Sequence, residues 1–195
     1  MTDAQIAAYY AKLLADHGPT YRAGDYGSAA SQAVRLGALA EAILTDDSGK
    51  VLGTPSVLDV GCGVGDLKGY LPKTATYTGW DFSLPIIQAA RTKWPGTTFE
   101  PQSLLTSTQA AIADYVFASG LFQFRGLAWL KKAVTRMYAL ANTTVAFNFL
   151  TTTTEPEETK QDALTVARFC KTLTPRVVVR MDYLPNDATV ILFKD

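Results

Sequence analysis

Val57-Leu58-Asp59-Val60-Gly61-Cys62-Gly63-Val64-Gly65-Asp66 is the stretch that decides the fold. Four residues of strand-forming, buried character run straight into three glycines at alternate positions, and Asp66 then opens a short helix. Glycine suits such a turn because it accepts positive φ and lets the backbone approach a ligand closely. The following helix start adds unpaired N–H groups and the positive end of a dipole. A crevice at the carboxyl end of a first strand is where open α/β sheets bind their ligands.

Outward from this turn, short apolar runs alternate with helix-length segments. Strands are expected at Ser56–Val60, Thr76–Trp80, Thr97–Glu100, Asp114–Ala118 and Thr143–Leu150, with helices near Leu84–Lys93, Leu127–Leu140 and Gln161–Leu173. Strand–helix alternation predicts a parallel sheet covered on both faces. Two last strands, Arg176–Tyr183 and Ala188–Phe193, are joined only by Leu184-Pro185-Asn186-Asp187, so they must be antiparallel. The expectation is an α/β, doubly wound, seven-stranded sheet, mostly parallel, with one antiparallel strand near the C-terminus. Upstream, Thr2 or Asp3 caps a helix to about Asp16, stopped by Gly18-Pro19, and Ser28 caps a second through about Leu44 before a loop at Thr45–Gly49. The whole chain is read as one domain, with residues 1–48 as a helical cap or lid and 49–195 as the core.

Composition narrows the function. The 195 residues are 48% hydrophobic and 18% charged, with 18 basic and 18 acidic side chains. That suits a soluble globular protein and lacks the basic excess of a duplex-binding one. No apolar run approaches the roughly 20 residues of a membrane span, and the N-terminus has no signal-peptide pattern, so a cytoplasmic protein is expected. Cys62 and Cys170 form neither a metal-ligand spacing nor a disulfide framework. Cys62 is read as a small turn residue rather than a nucleophile. A single histidine, His17, argues against a zinc site or a Ser-His-Asp hydrolase; it is read as a capping or solvated residue. No metal is expected.

The glycine pattern is D-x-G-x-G-x-G. A dinucleotide fingerprint counted from Gly61 would place its third glycine where Asp66 stands, which weighs against a nicotinamide-dependent oxidoreductase. The lysine of a phosphate-cradling loop is missing too. Asp81, 20 residues beyond Gly61, ends the second strand in Tyr77-Thr78-Gly79-Trp80-Asp81-Phe82. A carboxylate there can accept from both hydroxyls of a ribose, and Phe82 can lie against an adenine face.

VLDVGCGVGDL followed by YTGWDFS resembles the first two motifs of the class I S-adenosylmethionine-dependent methyltransferases. ADYVFASGLFQF is similar to their fourth-strand motif and TVAFNFL to their fifth strand. The tail LTPRVVVRMDYLPNDATVILFK and the upstream YGSAASQAVRL resemble the closing hairpin and cap helix of small bacterial members. The resemblance covers nearly the whole chain and implies a Rossmann-like fold, S-adenosylmethionine as cofactor and methyl transfer to a small molecule. It also implies roles. Asp59, Gly61, Cys62 and Gly63 shape the methionine-binding turn, Asp81 holds the ribose, and Phe82 meets the adenine. Ser119 offers its backbone near the methionine amine. Family members often place an acidic residue before Leu-Leu after the third strand; Gln102-Ser103-Leu104 stands here instead, leaving Ser103 as the acceptor beside Leu104. Gln32 and Arg35, on one helical face, are added as cofactor ligands, with Arg35 pairing with the methionine carboxylate.

For the acceptor, Tyr10, Tyr21, Tyr26, Phe122 and Asn148 are the candidates. Each also has a plain packing role, Asn148 as a satisfied core amide. No catalytic residue is named, since an activated methyl requires chiefly an in-line nucleophile. Other readings are a noncatalytic S-adenosylmethionine-binding subunit of a larger complex and a nucleic-acid or protein methyltransferase. The chain shows no N/D-P-P-Y/F tetrapeptide of the kind used on exocyclic base amines.

Overall fold

The computed structural model describes residues 1–43, 49, 51–109 and 112–194. Helices α1 (Asp3–His17) and α2 (Ala29–Ala40) flank a 3-10 turn at Tyr21–Gly24. Strand β1 (Ser56–Val60) follows, then a 3-10 helix at Asp66–Tyr70, β2 (Thr76–Asp81), α3 (Leu84–Lys93), β3 (Thr98–Pro101) and β4 (Ala113–Ala118). The chain ends with α4 (Leu127–Leu140), β5 (Ala141–Leu150), α5 (Ala163–Cys170), β6 (Val177–Arg180) and β7 (Asp187–Phe193). The strands form one seven-stranded sheet in the order β3-β2-β1-β4-β5-β7-β6. β1 pairs in parallel with both β2 and β4, through Leu58↔Thr78 and Leu58↔Val116. β7 is antiparallel to β5 and to β6, so it alone runs against the other strands.

Alternation along the strands divides the core in two. On one face Leu58, Trp80, Val116, Phe147 and Leu192 pack with Leu130, Val134 and Met137 of α4 and with Val166 and Cys170 of α5. On the other, Val57, Tyr77, Phe117, Ala146 and Ile191 pack with Leu36 and Leu39 of α2 and with Ile87 and Ala90 of α3. Each fully buried aliphatic side chain of this kind contributes ~1.5–3 kcal/mol.

The two N-terminal helices therefore do different work. α2 is part of the covering layer. α1 buries only Ile6 fully and is held by Tyr9 and Tyr10 against Phe124 and by the Arg125–Asp3 ion pair. Its ends are well defined, by a capping box between Thr2 and Gln5 and by Gly18 at φ +63°.

Three elements differ from the sequence expectation by more than two residues at an end. α2 stops at Ala40, and Leu44 with most of the Thr45–Gly49 loop lies outside the described residues. β6 is only Val177–Arg180. It is the sheet edge, where Arg180 turns out to pair with Glu41 and Asp182, and a short charged edge resists pairing with other chains. α5 is confined to Ala163–Cys170, capped by Asp162. Among the described residues, no helix is long and apolar enough to cross a membrane.

Candidate functional site

At the carboxyl ends of β1 and β2 the glycine turn is pinned by the neighbouring strand. The Trp80 carbonyl accepts from the N–H groups of both Gly61 (2.8 Å) and Cys62 (3.0 Å). Gly61 has φ +70°, and a Cβ there would stand 2.9 Å from Leu121 Cδ1. Gly63 has φ +53° and nothing within 4 Å of where a Cβ would sit. Positive φ favours glycine at both positions; Gly61 also lies against the Leu121 side chain, while Gly63 opens onto empty space.

Asp81 ends β2 with both oxygens engaged. Oδ2 accepts from Gly63 N–H (3.3 Å) and Oδ1 from Ser83 N–H (2.8 Å). Burial pushes its carboxyl up to about 6, against the pull of those two donors. Asp59 lies deeper. Burial raises it to about 7; the Tyr77 hydroxyl donates to it at 2.7 Å and opposes the rise, while Asp81 and Asp66 reinforce it. Asp66, at the first turn of the 3-10 helix, accepts from Gln32 Nε2 at 2.9 Å and pairs with Lys93.

These groups face a cavity of about 190 Å³. The turn gives it Asp59, Gly61, Cys62 and Gly63, and the end of β2 gives Asp81 and Phe82. Ser103 and Leu104 enter after β3, Ser119 after β4, and Gln32 from α2. Cys62 is buried, and burial drives its thiol well above the usual thiol range, which suits the turn role. α1 closes one side with Asp3, Ile6 and Tyr10.

Arg35 is not with them. Its guanidinium donates to Asp187 Oδ2 at 2.7 Å and to Ser31 Oγ at 2.7 Å, and it lines a neighbouring cavity instead. The buried Asp187 carboxylate needs that partner, and Arg35 thus stands apart from the other residues expected at the cofactor. Gln32 faces the cavity with its amide nitrogen committed to Asp66.

The acceptor candidates separate as well. Tyr10 lines the first cavity, Tyr26 lines both, and Phe122 and Asn148 line the second. Tyr21 lines neither, and its hydroxyl accepts from Arg22 Nε at 3.2 Å. His17 is exposed at the end of α1 and lines neither cavity.

Sequence reasoning missed Asp25, Gln123 and Glu158, a network described below. Their only signal was Asp25 inside Gly24-Asp25-Tyr26-Gly27, a turn composition that does not announce its left-handed backbone, φ 61°. Among the described residues, no group of three or more His, Cys, Asp or Glu could hold a metal ion.

Residues 57–143 match a family model described as a methyltransferase domain. The chain superposes on the magnesium protoporphyrin IX methyltransferase of Synechocystis PCC 6803, solved with bound S-adenosylmethionine. The TM-score is 0.70 and the identity 16%, over 98% of this chain and 96% of that one. A DhpI complex with S-adenosylhomocysteine gives a TM-score of 0.67 at 16% identity, over 95% and 93% of the two chains. The N-methyltransferase NodS of Bradyrhizobium japonicum WM9, in complex with S-adenosylhomocysteine, gives 0.64 at 14% identity, over 96% and 97%. No curated protein sequence is a significant match. At such identities the structural likeness speaks for the fold, which is that of the methyltransferases just named, and residues 57–143 are the segment that the methyltransferase-domain model matches.

Proposed function

We propose that the chain binds S-adenosylmethionine in the first cavity and that its methyl group goes to a small-molecule acceptor by direct in-line transfer. The observation that carries this reading is the pairing of Asp81 with the open backbone at Gly63. A carboxylate fixed by two backbone donors retains lone pairs for a vicinal diol, and the empty space at Gly63 admits a ligand against the turn.

The charge of the site agrees. Asp66 is paired with Lys93, but Asp59 and Asp81 also face the cavity, and a ligand with a sulfonium and an ammonium group complements them. Leu104, Ile86 and the half-exposed ring of Phe82 supply apolar surface for an aromatic base. When bound, S-adenosylmethionine supplies a methyl group already activated by sulfonium charge. The chain's part is to hold it, orient the acceptor and keep water out. No side-chain base is required for that, and no catalytic residue is assigned.

Residues 1–48 are proposed as the cap and 49–195 as the core. α1 is the movable portion of the cap, because Asp3, Ile6 and Tyr10 wall the cavity while α1 has a single buried residue.

Calorimetric titration with S-adenosylmethionine and S-adenosylhomocysteine, with NAD as control, tests the assignment. Micromolar binding of both sulfur compounds and none of NAD is expected. Failure of both to bind overturns it.

A further inference from the structure

A second cavity, of about 390 Å³, adjoins the first and falls within the size range of small-metabolite sites. Gly24, Tyr26 and Gly120 belong to both walls. The partition is hydrogen-bonded. Ser119 Oγ donates to Asn148 Oδ1 (3.2 Å) and lies 2.8 Å from the Tyr26 hydroxyl, which must then be the donor between those two. Gly120 N–H also donates to Asn148 Oδ1, at 3.3 Å.

These bonds fix which way the Asn148 amide faces. Its oxygen is taken by the Ser119–Gly120 turn, and its nitrogen has no partner although the residue is only 1% exposed. A buried amide nitrogen without an acceptor is a standing cost to the fold. Asn148 lines the second cavity and not the first, so of the two only the second adjoins this unpartnered amide.

Charge in the same cavity has one sign in excess. Asp25, Glu158 and Asp187 line it, and Arg35, its one cationic side chain among the described residues, is spent on Asp187. Asp25 and Glu158 are held side by side by a single amide. Gln123 Nε2 donates to Asp25 Oδ2 at 2.8 Å and to Glu158 Oε1 at 2.6 Å, while Tyr9 adds a donor to Asp25 Oδ2 at 2.7 Å. Thr153 Oγ1 also donates to Glu158, and all of these partners are neutral. Phe122, Phe149 and Pro185 give the rest of the wall an apolar character.

From this we infer that the second cavity is the acceptor's recognition site and that the acceptor is a small cationic amine bearing an oxygen acceptor. The ammonium pairs with Asp25 and Glu158, and the oxygen takes the Asn148 N–H. The inference deepens the methyl-transfer reading and rests on it.

The test uses the full chain preloaded with S-adenosylhomocysteine and titrated calorimetrically with two matched series. These are phenylglycinol, styrene glycol and mandelate, and glucosamine, glucose and glucuronate. Within at least one series the amine should bind more tightly than its neutral and anionic counterparts by about tenfold or more, the worth of one charge-assisted hydrogen bond. Glu158→Gln and Asp25→Asn should each shrink that preference severalfold; asparagine tolerates the left-handed backbone at position 25. Both variants should keep the wild-type affinity for S-adenosylhomocysteine, because neither residue lines the first cavity. The inference is overturned if neither amine binds, if neutral or anionic members bind as well, or if both variants keep the full preference. Failure of S-adenosylhomocysteine to bind in the preloading step would strike the methyl-transfer reading instead.

Discussion

The two cavities share a wall but are built by opposite means. The first is made from strand ends and one glycine turn that is held by contacts to backbone: Trp80 carbonyl to Gly61 and Cys62, and Asp81 to Gly63 and Ser83. The second draws Asp25, Gln123, Asn148 and Glu158 from four separate segments, joined by side-chain bonds through Gln123 and Ser119. A cofactor pocket made of turn chemistry is set by its local sequence. An acceptor pocket made of side chains exists only once distant segments have met, and it can change without disturbing the first. Four measurements would break or sharpen that contrast.

The largest effect is expected at Asp81. Asp81→Ala removes the diol acceptor and leaves the Gly63 and Ser83 N–H groups without their partner. Binding of S-adenosylmethionine should weaken by about 3 kcal/mol or more, roughly two orders of magnitude in Kd. Calorimetry reads this directly, and a wild-type Kd would show that the turn is not the recognition element. On the other side of the wall, Asn148→Ala takes the acceptor from Gly120 N–H and Ser119 Oγ–H. Denaturant unfolding should show a loss of about 2–3 kcal/mol. An unchanged midpoint would mean that the partition does not depend on this amide.

How legible each cavity was follows from how it is built. Gly61, Gly63 and Asp81 stood in one contiguous pattern of strand, turn and strand, whose spacing fixes geometry before any tertiary contact forms. The strand order's reversed member was equally visible, because Leu184–Asp187 is too short for anything but an antiparallel connection. The ion pair of Arg35 was not legible for a tertiary reason: its partner Asp187 is 152 residues away, and no local rule announces that pair. Asp25, Gln123 and Glu158 escaped for the same reason. The apolar stripe of α2 was legible, but not the sheet surface on which Leu36 and Leu39 bury.

Acid should separate the cavities next. Asp81 titrates at about 6 and Asp59 at about 7 in the free chain, both raised by burial. Diol donors and a cationic ligand favour the ionised forms, so the bound state holds fewer protons. Affinity for S-adenosylmethionine should be full above about pH 8, fall by up to about tenfold per unit between about 7 and 6, and approach about a hundredfold per unit well below 6, where both carboxyls must give up a proton. Folding responds in the opposite sense. A carboxyl raised in the folded state gives stability at low pH that is lost as pH climbs from the unfolded value, about 4, through the folded one. Titrations of affinity at several pH values check this, and a flat profile from pH 5 to 8 would sink it.

The smallest effect tests whether an unpartnered atom marks a site or merely a cost. Thr144 and Asn148 lie four residues apart on the same face of β5, both buried, and each has a polar atom with no partner. Asn148 borders a cavity. Thr144 is 0% exposed and lines neither cavity, so no ligand can satisfy its hydroxyl. Thr144→Val keeps the shape, suits a central strand and removes the desolvated oxygen. It should stabilise the fold by about 1 kcal/mol, raising Tm by roughly 2–4 °C, with affinity for S-adenosylmethionine unchanged. A clear destabilisation in the same scan would show that the Thr144 hydroxyl does have a partner in solution. The case for reading the Asn148 nitrogen as awaiting a ligand would then weaken with it.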